Sequence, residues 1–206
     1  MKGIIFLCSC LLLLQSASLL LKRQNSSLAK PHSVSTPNSS TLDHGGKIET
    51  KYDGFNYETV VTLKKMRITC GGAKGLQSTI EQTCVSLVAS LHCPGVQLDH
   101  VRLARLQLIF ETKDWDKRHP LGERELFVVA DGQRLRLGRM GLVTQNVAGD
   151  RGIDVMKEVL EVAVPYQAFN KIARSQTIEI RLGKTVFALQ EKNLEALRDL
   201  NNRVKF

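Results

Sequence analysis

The 206-residue chain contains no GxSxG, no HExxH and no CxxC. The short signatures of an α/β-hydrolase nucleophile, a zinc protease and a dithiol redox centre are therefore all missing. Aromatic residues make up only 5% of the chain, with a single tryptophan. A surface that stacks single-stranded bases needs more of them, so nothing points to nucleic acid. Three near-motifs fail on position. "LGKT" at 182–185 has the tail of a phosphate loop, but the earlier glycine would fall at Ile178, and a strand-like run follows instead of a helix. "CGGAKG" at 70–75 has the glycines without the strand-to-helix context. "DWDKRH" at 114–119 offers Asp114, Asp116 and His119, but a calcium loop needs an oxygen ligand where Arg118 stands. No metal and no cofactor is implied.

What is present begins with an apolar leader. After Lys2 comes "GIIFLCSCLLLLQSASLLL", with the small residues Ser16, Ala17 and Ser18 near its end. A charged start, an apolar run and a small-residue patch describe a signal peptide over residues 1–21. The alternative is an uncleaved anchor, since residues 3–21 are about long enough to span a bilayer. Gln15 and the serines weaken that reading. The "LCSC" run puts Leu7 three before Cys10, as in a lipid-modified cysteine, but Cys8 stands where a small or β-branched residue is usual. Residues 22–50 are rich in Ser, Thr, Asn and Pro and poor in large apolar side chains, so they read as a disordered linker. Residues 51–206 then form one domain with enough chain for its own core.

The charge is basic, +9 overall. Twenty-five of the bases and nineteen of the acids follow residue 43, an excess of about six that permits attraction to anionic surfaces. Once the leader is removed three cysteines remain, an odd number for an oxidising compartment. If residues 84–92 form a strand, Cys84 and Cys93 lie about 30 Å apart. A disulfide needs Cα atoms within about 7 Å, so the candidates are Cys70 and Cys84, with Cys93 left free. A helix over 79–91 would carry Cys84 away from Cys70.

Most of the domain alternates apolar and polar residues. "YETVVTLKKMRI" turns Val61, Leu63 and, less cleanly, Met66 or Ile68 inward. "VRLARLQLIFET" puts Ala104, Leu106, Leu108 and Phe110 on one face, with Arg105, Gln107 and Glu111 on the other. "ELFVVA" and "QRLRLG" flank Asp131-Gly132, a dipeptide that tolerates positive φ and reads as a hairpin turn, not as a catalytic carboxylate. "KEVLEVAV", "QTIEIRL" and "TVFAL" are further strands, the last folding back across Gly183-Lys184. Residues 76–95 suit strand and helix alike, and their β-branched and Ser residues lean toward strand. Two helices stand out. One is "VPYQAFNKIARS", with Pro165 at the first helical position and Ala168, Phe169 and Ile172 as a stripe. The other is "EKNLEALRDLNNRVKF", with Leu194, Leu197, Leu200 and Val204 on one side, acids early and bases late. The fold class is α+β, mainly antiparallel β: a sandwich-like sheet with one short helix and a C-terminal helix.

The order "KYDGFNYETVVTLKKMRI", "VSLVASLHCPG", "DWDKRHPLGERELFVVADGQRLRLG", "LEVAVPYQAFNKIA", "LGKTVFALQEKNLEALRDL" resembles a group of exported bacterial proteins without assigned activity, over roughly residues 50–205. It departs from them at Gln190, where they carry Ser or Thr as a helix cap, and at "CGGAKGLQSTIEQTC", which reads as an insertion. The resemblance implies export and favours the strand reading.

Three residues are candidates for binding. Arg134 and Arg136 share one strand face, with Leu135 and Leu137 on the other; they grip an anionic ligand or merely protect an exposed strand from aggregation. Trp115 is a ligand platform or, more simply, a core anchor. His92, His100 and His119 become a site only if the fold brings one to an acid. The sequence therefore favours a non-enzymatic exported domain, periplasmic or extracellular, whose partner is an anionic envelope surface or another envelope protein. The alternative is an envelope hydrolase with a site assembled from separated residues.

Overall fold

The computed structural model describes residues 44–70, 84–112, 119–150 and 153–204. The proposed leader, most of the linker, most of the glycine-rich insertion, and Asp114, Trp115 and Asp116 lie outside the described residues.

Among the described residues ten strands and two α-helices follow in order, with a short 3-10 turn at Leu121–Glu123 before the fifth strand: β1 (Ile48–Asp53), β2 (Glu58–Cys70), β3 (Cys84–Pro94), β4 (Leu103–Thr112), β5 (Glu125–Ala130), β6 (Gln133–Arg139), β7 (Gly141–Asp150), β8 (Ile153–Val164), α1 (Tyr166–Arg174), β9 (Ile178–Leu182), β10 (Thr185–Ala188) and α2 (Glu191–Asn202). They make two sheets. One has six strands in the order β1-β2-β3-β4-β8-β7, the other four in the order β10-β9-β5-β6. Every described pair is antiparallel. The α+β class, mainly antiparallel β with a short helix and a C-terminal one, is what the alternation predicts.

Alternation decides which side chains reach the interior. In the large sheet Val61, Leu91 and Ala104 stack across β2, β3 and β4, and Leu87 and Leu108 meet Leu160 of β8. In the small sheet Leu126, Val128 and Ala130 pair with Leu182, Ile180 and Ile178. All belong to one core cluster, which Phe169 and Ile172 of α1 and Leu194, Leu197 and Leu200 of α2 join. Truncating one of these fully buried leucines to alanine costs about 2–5 kcal/mol.

The awkward stretch of β2 resolves through a bulge. Pairing with β3 slips between Leu63 and Met66, so Lys64 and Lys65 both stay outside, and Met66 and Ile68 are both buried. The buried Asn193 at the start of α2 donates from Nδ2 to the Arg67 carbonyl at 3.2 Å and accepts the Gln190 N–H at 3.0 Å. It thus caps the helix and ties it to the irregular part of β2.

Three expectations shift in position. Residues 44–50, assigned by composition to the linker, carry the buried His44 and the first three residues of β1. His44 Nδ1 accepts the Gly46 N–H at 3.0 Å, which leaves Nε2 to donate to Asp199 of α2 at 3.2 Å. Pro165 is the residue before α1, with ψ 140°, and its carbonyl accepts the Ala168 and Phe169 N–H groups. Among the described residues the last turn of α2 holds no base, and Arg203 stands just past its end, bonded back to Asp199.

Candidate functional site

The Asp131-Gly132 turn is a hairpin corner. Both residues have positive φ, 48° and 79°, the geometry of the tight two-residue turn between antiparallel strands. The carboxylate has a second task. Oδ1 accepts the Gln176 and Thr177 N–H groups, each at 2.9 Å, and the Thr177 hydroxyl at 3.2 Å. The Thr177 backbone bond, helped by those of Gln176 and the Thr177 hydroxyl, outweighs the opposing effect of burial and holds Asp131 below the usual carboxylate range. The turn clasps the loop between α1 and β9.

The hairpin places the predicted arginines on the solvent face of the small sheet. Leu135 and Leu137 pack toward the core, and Arg134 and Arg136 stand exposed. Cross-strand pairing sets Phe127 of β5 between Arg136 of β6 and Arg181 of β9. With strands about 4.8 Å apart, the two guanidinium stems lie about 10 Å from each other across the ring. The Arg134 guanidinium carbon sits 4.2 Å from the Phe127 ring centroid. Arg136 Nε donates to Glu125 at 2.6 Å. That bond holds Glu125 below the ordinary carboxylate range and pushes Arg136 up. Beside it Glu125, Arg136, Leu137, Gly138 and Arg139 line a shallow hollow of about 360 Å³. The face thus sets three guanidinium groups around one aromatic ring, with Glu125 and Glu179 on the same face. Periodicity gives Arg134 and Arg136 in advance; Phe127 and Arg181 depend on pairing register, which one strand cannot reveal.

Of the histidines, His100 is exposed in a loop. His119 is buried, and its Nδ1 lies 2.7 Å from Glu158 Oε2. Glu158 is fully buried on the core face of β8 and faces Phe110 of β4. The His119 N–H lies 3.4 Å from both carboxylate oxygens, and Arg124 Nη2 is 3.8 Å from Oε1. Arg124 Nε donates to the His119 carbonyl at 2.7 Å, and the imidazole packs on Phe110 with ring centroids 4.3 Å apart. This cluster fastens residues 119–124 to β8, and its polar atoms are turned toward one another.

His92 is different because its partners face outward. On the outer face of the large sheet Ser90 and His92 are neighbours two residues apart on β3. Ser90 Oγ lies 3.1 Å from His92 Nε2, and Glu58 Oε1 lies 3.2 Å from His92 Nδ1. Arg102 Nη2 reaches the other Glu58 oxygen at 3.5 Å. Opposite Ser90 on β4 stands Arg105. Its Nη1 donates to Glu161 at 2.7 Å, while its buried Nε finds no acceptor among the described residues. Burial alone would raise the Glu161 carboxyl, but hydrogen bonds from Gln107 and Arg105 outweigh it and hold the group low.

Cys70 and Cys84 face each other across β2 and β3 and are bonded, with Cα atoms 4.1 Å apart. Cys93 is free and fully buried. Burial, with Asp99 and Glu58 adding negative charge, pushes its thiol up to about 11, so it is inert. Among the described residues no three His, Cys, Asp or Glu side chains converge on a metal-sized space, and no helix is long and apolar enough to cross a membrane. No family model, curated protein or solved structure matches the chain.

Proposed function

We propose that the protein is an exported binding module that attaches to an anionic surface through the outer face of β6, β5 and β9. The observation that carries this reading is the row Arg136–Phe127–Arg181, with Arg134 stacked on the ring. Guanidinium groups fixed by an aromatic ring and by Glu125 lose little freedom when they meet phosphate or carboxylate groups. Half-buried Phe127, between Arg136 and Arg181, and half-buried Val129, between Arg134 and Glu179, give the face an apolar floor. Export is supported by the apolar leader of residues 1–21 and agrees with the Cys70–Cys84 bond.

The test is co-sedimentation of the mature protein with vesicles of phosphatidylglycerol and phosphatidylcholine, beside neutral vesicles and an immobilised acidic polysaccharide. Binding to the anionic supports, lost in an Arg134→Ser/Arg136→Ser variant, is expected. Equal binding to neutral and anionic supports would overturn the proposal.

A further inference from the structure

The outer face of the six-stranded sheet carries a constellation that the binding surface does not use. Hydroxyl, imidazole and carboxylate stand in line. Ser90 Oγ is 3.1 Å from His92 Nε2, and His92 Nδ1 is 3.2 Å from Glu58 Oε1. Each ring nitrogen has the neighbour that nucleophilic catalysis requires. A carboxylate beside Nδ1 keeps the proton on that nitrogen, which leaves the Nε2 lone pair free to accept from the serine. Strand geometry makes the alignment, since residues two apart share a face. The pairing Glu58↔Pro94 sets the acid beside the histidine end of β3. Arg102 braces both, through its side chain to Glu58 and through its N–H to the His92 carbonyl at 2.8 Å. His92 is nearly buried while Ser90 stays partly open. The base is therefore shielded and the nucleophile reachable.

We propose that Ser90, His92 and Glu58 form a serine acyl-hydrolase site, with Arg105 as oxyanion donor and a short-chain carboxylic ester as substrate. β3 is paired on both sides, so its own amides are committed to the ladders and offer no backbone oxyanion hole. Arg105, opposite Ser90 in register, supplies the missing donor from the exposed part of its guanidinium, where negative charge would develop on a substrate oxygen. A site with one such donor suits an ester, whose alkoxide leaves more readily than an amine. Half-buried Val60 and Val88 flank the pair on the same face, a small apolar floor for a short acyl chain.

In the reaction the Ser90 oxygen attacks the acyl carbon as its proton passes to His92 Nε2. The ester C–O bond then breaks, and His92 returns the proton to the departing alcohol, leaving the acyl group on Ser90. Water, activated by the same nitrogen, releases the acid and restores the serine hydroxyl. Ser90 and His92 are the catalytic residues, and Glu58 is a positioning residue.

The experiment treats the mature protein with a fluorophosphonate probe and measures p-nitrophenyl butyrate hydrolysis. One probe per chain, mapped to Ser90, is expected. Ser90→Ala should lose both label and turnover while keeping the wild-type melting temperature. His92→Gln should lower kcat about a hundredfold or more. Glu58→Gln should lower kcat with KM unchanged, and Glu58→Asp should recover part of it, which a merely structural role would not produce. Ester hydrolysis and vesicle co-sedimentation are separate readouts on the same preparation, so the two proposals fail separately. No label at Ser90, or undiminished turnover by Ser90→Ala, would show that the three side chains only fasten β2 to β3.

Discussion

Single residues show where one-dimensional reading runs out. Glu158 sits among Met156, Leu160 and Val162 on the inward register of β8, and the alternation of "KEVLEVAV" already puts Glu158 and Leu160 on one face. A carboxylate in a core position needs a partner, and that demand is legible; that His119 answers it from 39 residues away is not. Removing the imidazole takes away the partner of Glu158 Oε2 and leaves a buried carboxyl group short of one hydrogen bond. His119→Ala is therefore expected to destabilise the fold by about 1–3 kcal/mol, measured by chemical denaturation. Asp131 allows a subtler test. Its folded carboxyl lies below the ordinary value of 3.8. Its contribution to stability is thus fully present above that value and is lost as pH falls through the lower folded one. Asp131→Asn keeps the turn geometry and lacks the charge that strengthens the bonds to Gln176 and Thr177. The variant should melt below wild type at pH 7, and the two melting temperatures should converge near pH 2, as followed by circular dichroism.

At the scale of elements, the sequence shows strands well and their neighbours poorly. The clearest ambiguity, strand or helix around residue 85, has a physical cause in β3. Val85, Leu87, Ala89 and Leu91 keep the period of two, but Cys84, Leu87, Val88 and Leu91 also fall at helical spacing, so periodicity alone admits both forms. The bulge of β2 has its own cause. Two consecutive lysines must both reach solvent, so the strand admits an extra residue to keep Leu63 and Met66 inside. The disulfide was legible because it needs only that β2 and β3 be consecutive and antiparallel. Cys70 and Cys84 then fall opposite each other, where they close a loop of about 15 residues worth roughly 3 kcal/mol in the chain-entropy model. Replacing both with serine should lower stability by about that amount without moving the register of β2 on β3. Urea titration and amide exchange along β3 measure the two parts of this expectation.

The whole molecule adds a question that neither residue nor strand can answer, because a basic protein adheres to anionic surfaces through its total charge as well as through any particular face. The two contributions separate by position. Arg134 and Arg136 lie on the small sheet around Phe127, whereas Lys51 and Arg67, also exposed, lie on the large sheet. Replacing either pair with serine removes two positive charges and leaves the core cluster untouched. If net charge governs adhesion, the two double variants lose retention on anionic vesicles equally. If the organised face governs it, only the Arg134/Arg136 variant loses most of its retention. Ionic strength sharpens the contrast. Raising it from about 0.01 M to about 0.15 M shortens the screening length from about 30 Å to about 8 Å. The diffuse contribution of distant charges then fades, while guanidinium groups in contact with phosphate keep part of theirs. The expected outcome is that the difference between the two variants, small at low salt, is largest relative to total binding at the higher ionic strength. Co-sedimentation across that range measures it, and parallel curves for the two variants would assign the adhesion to net charge alone.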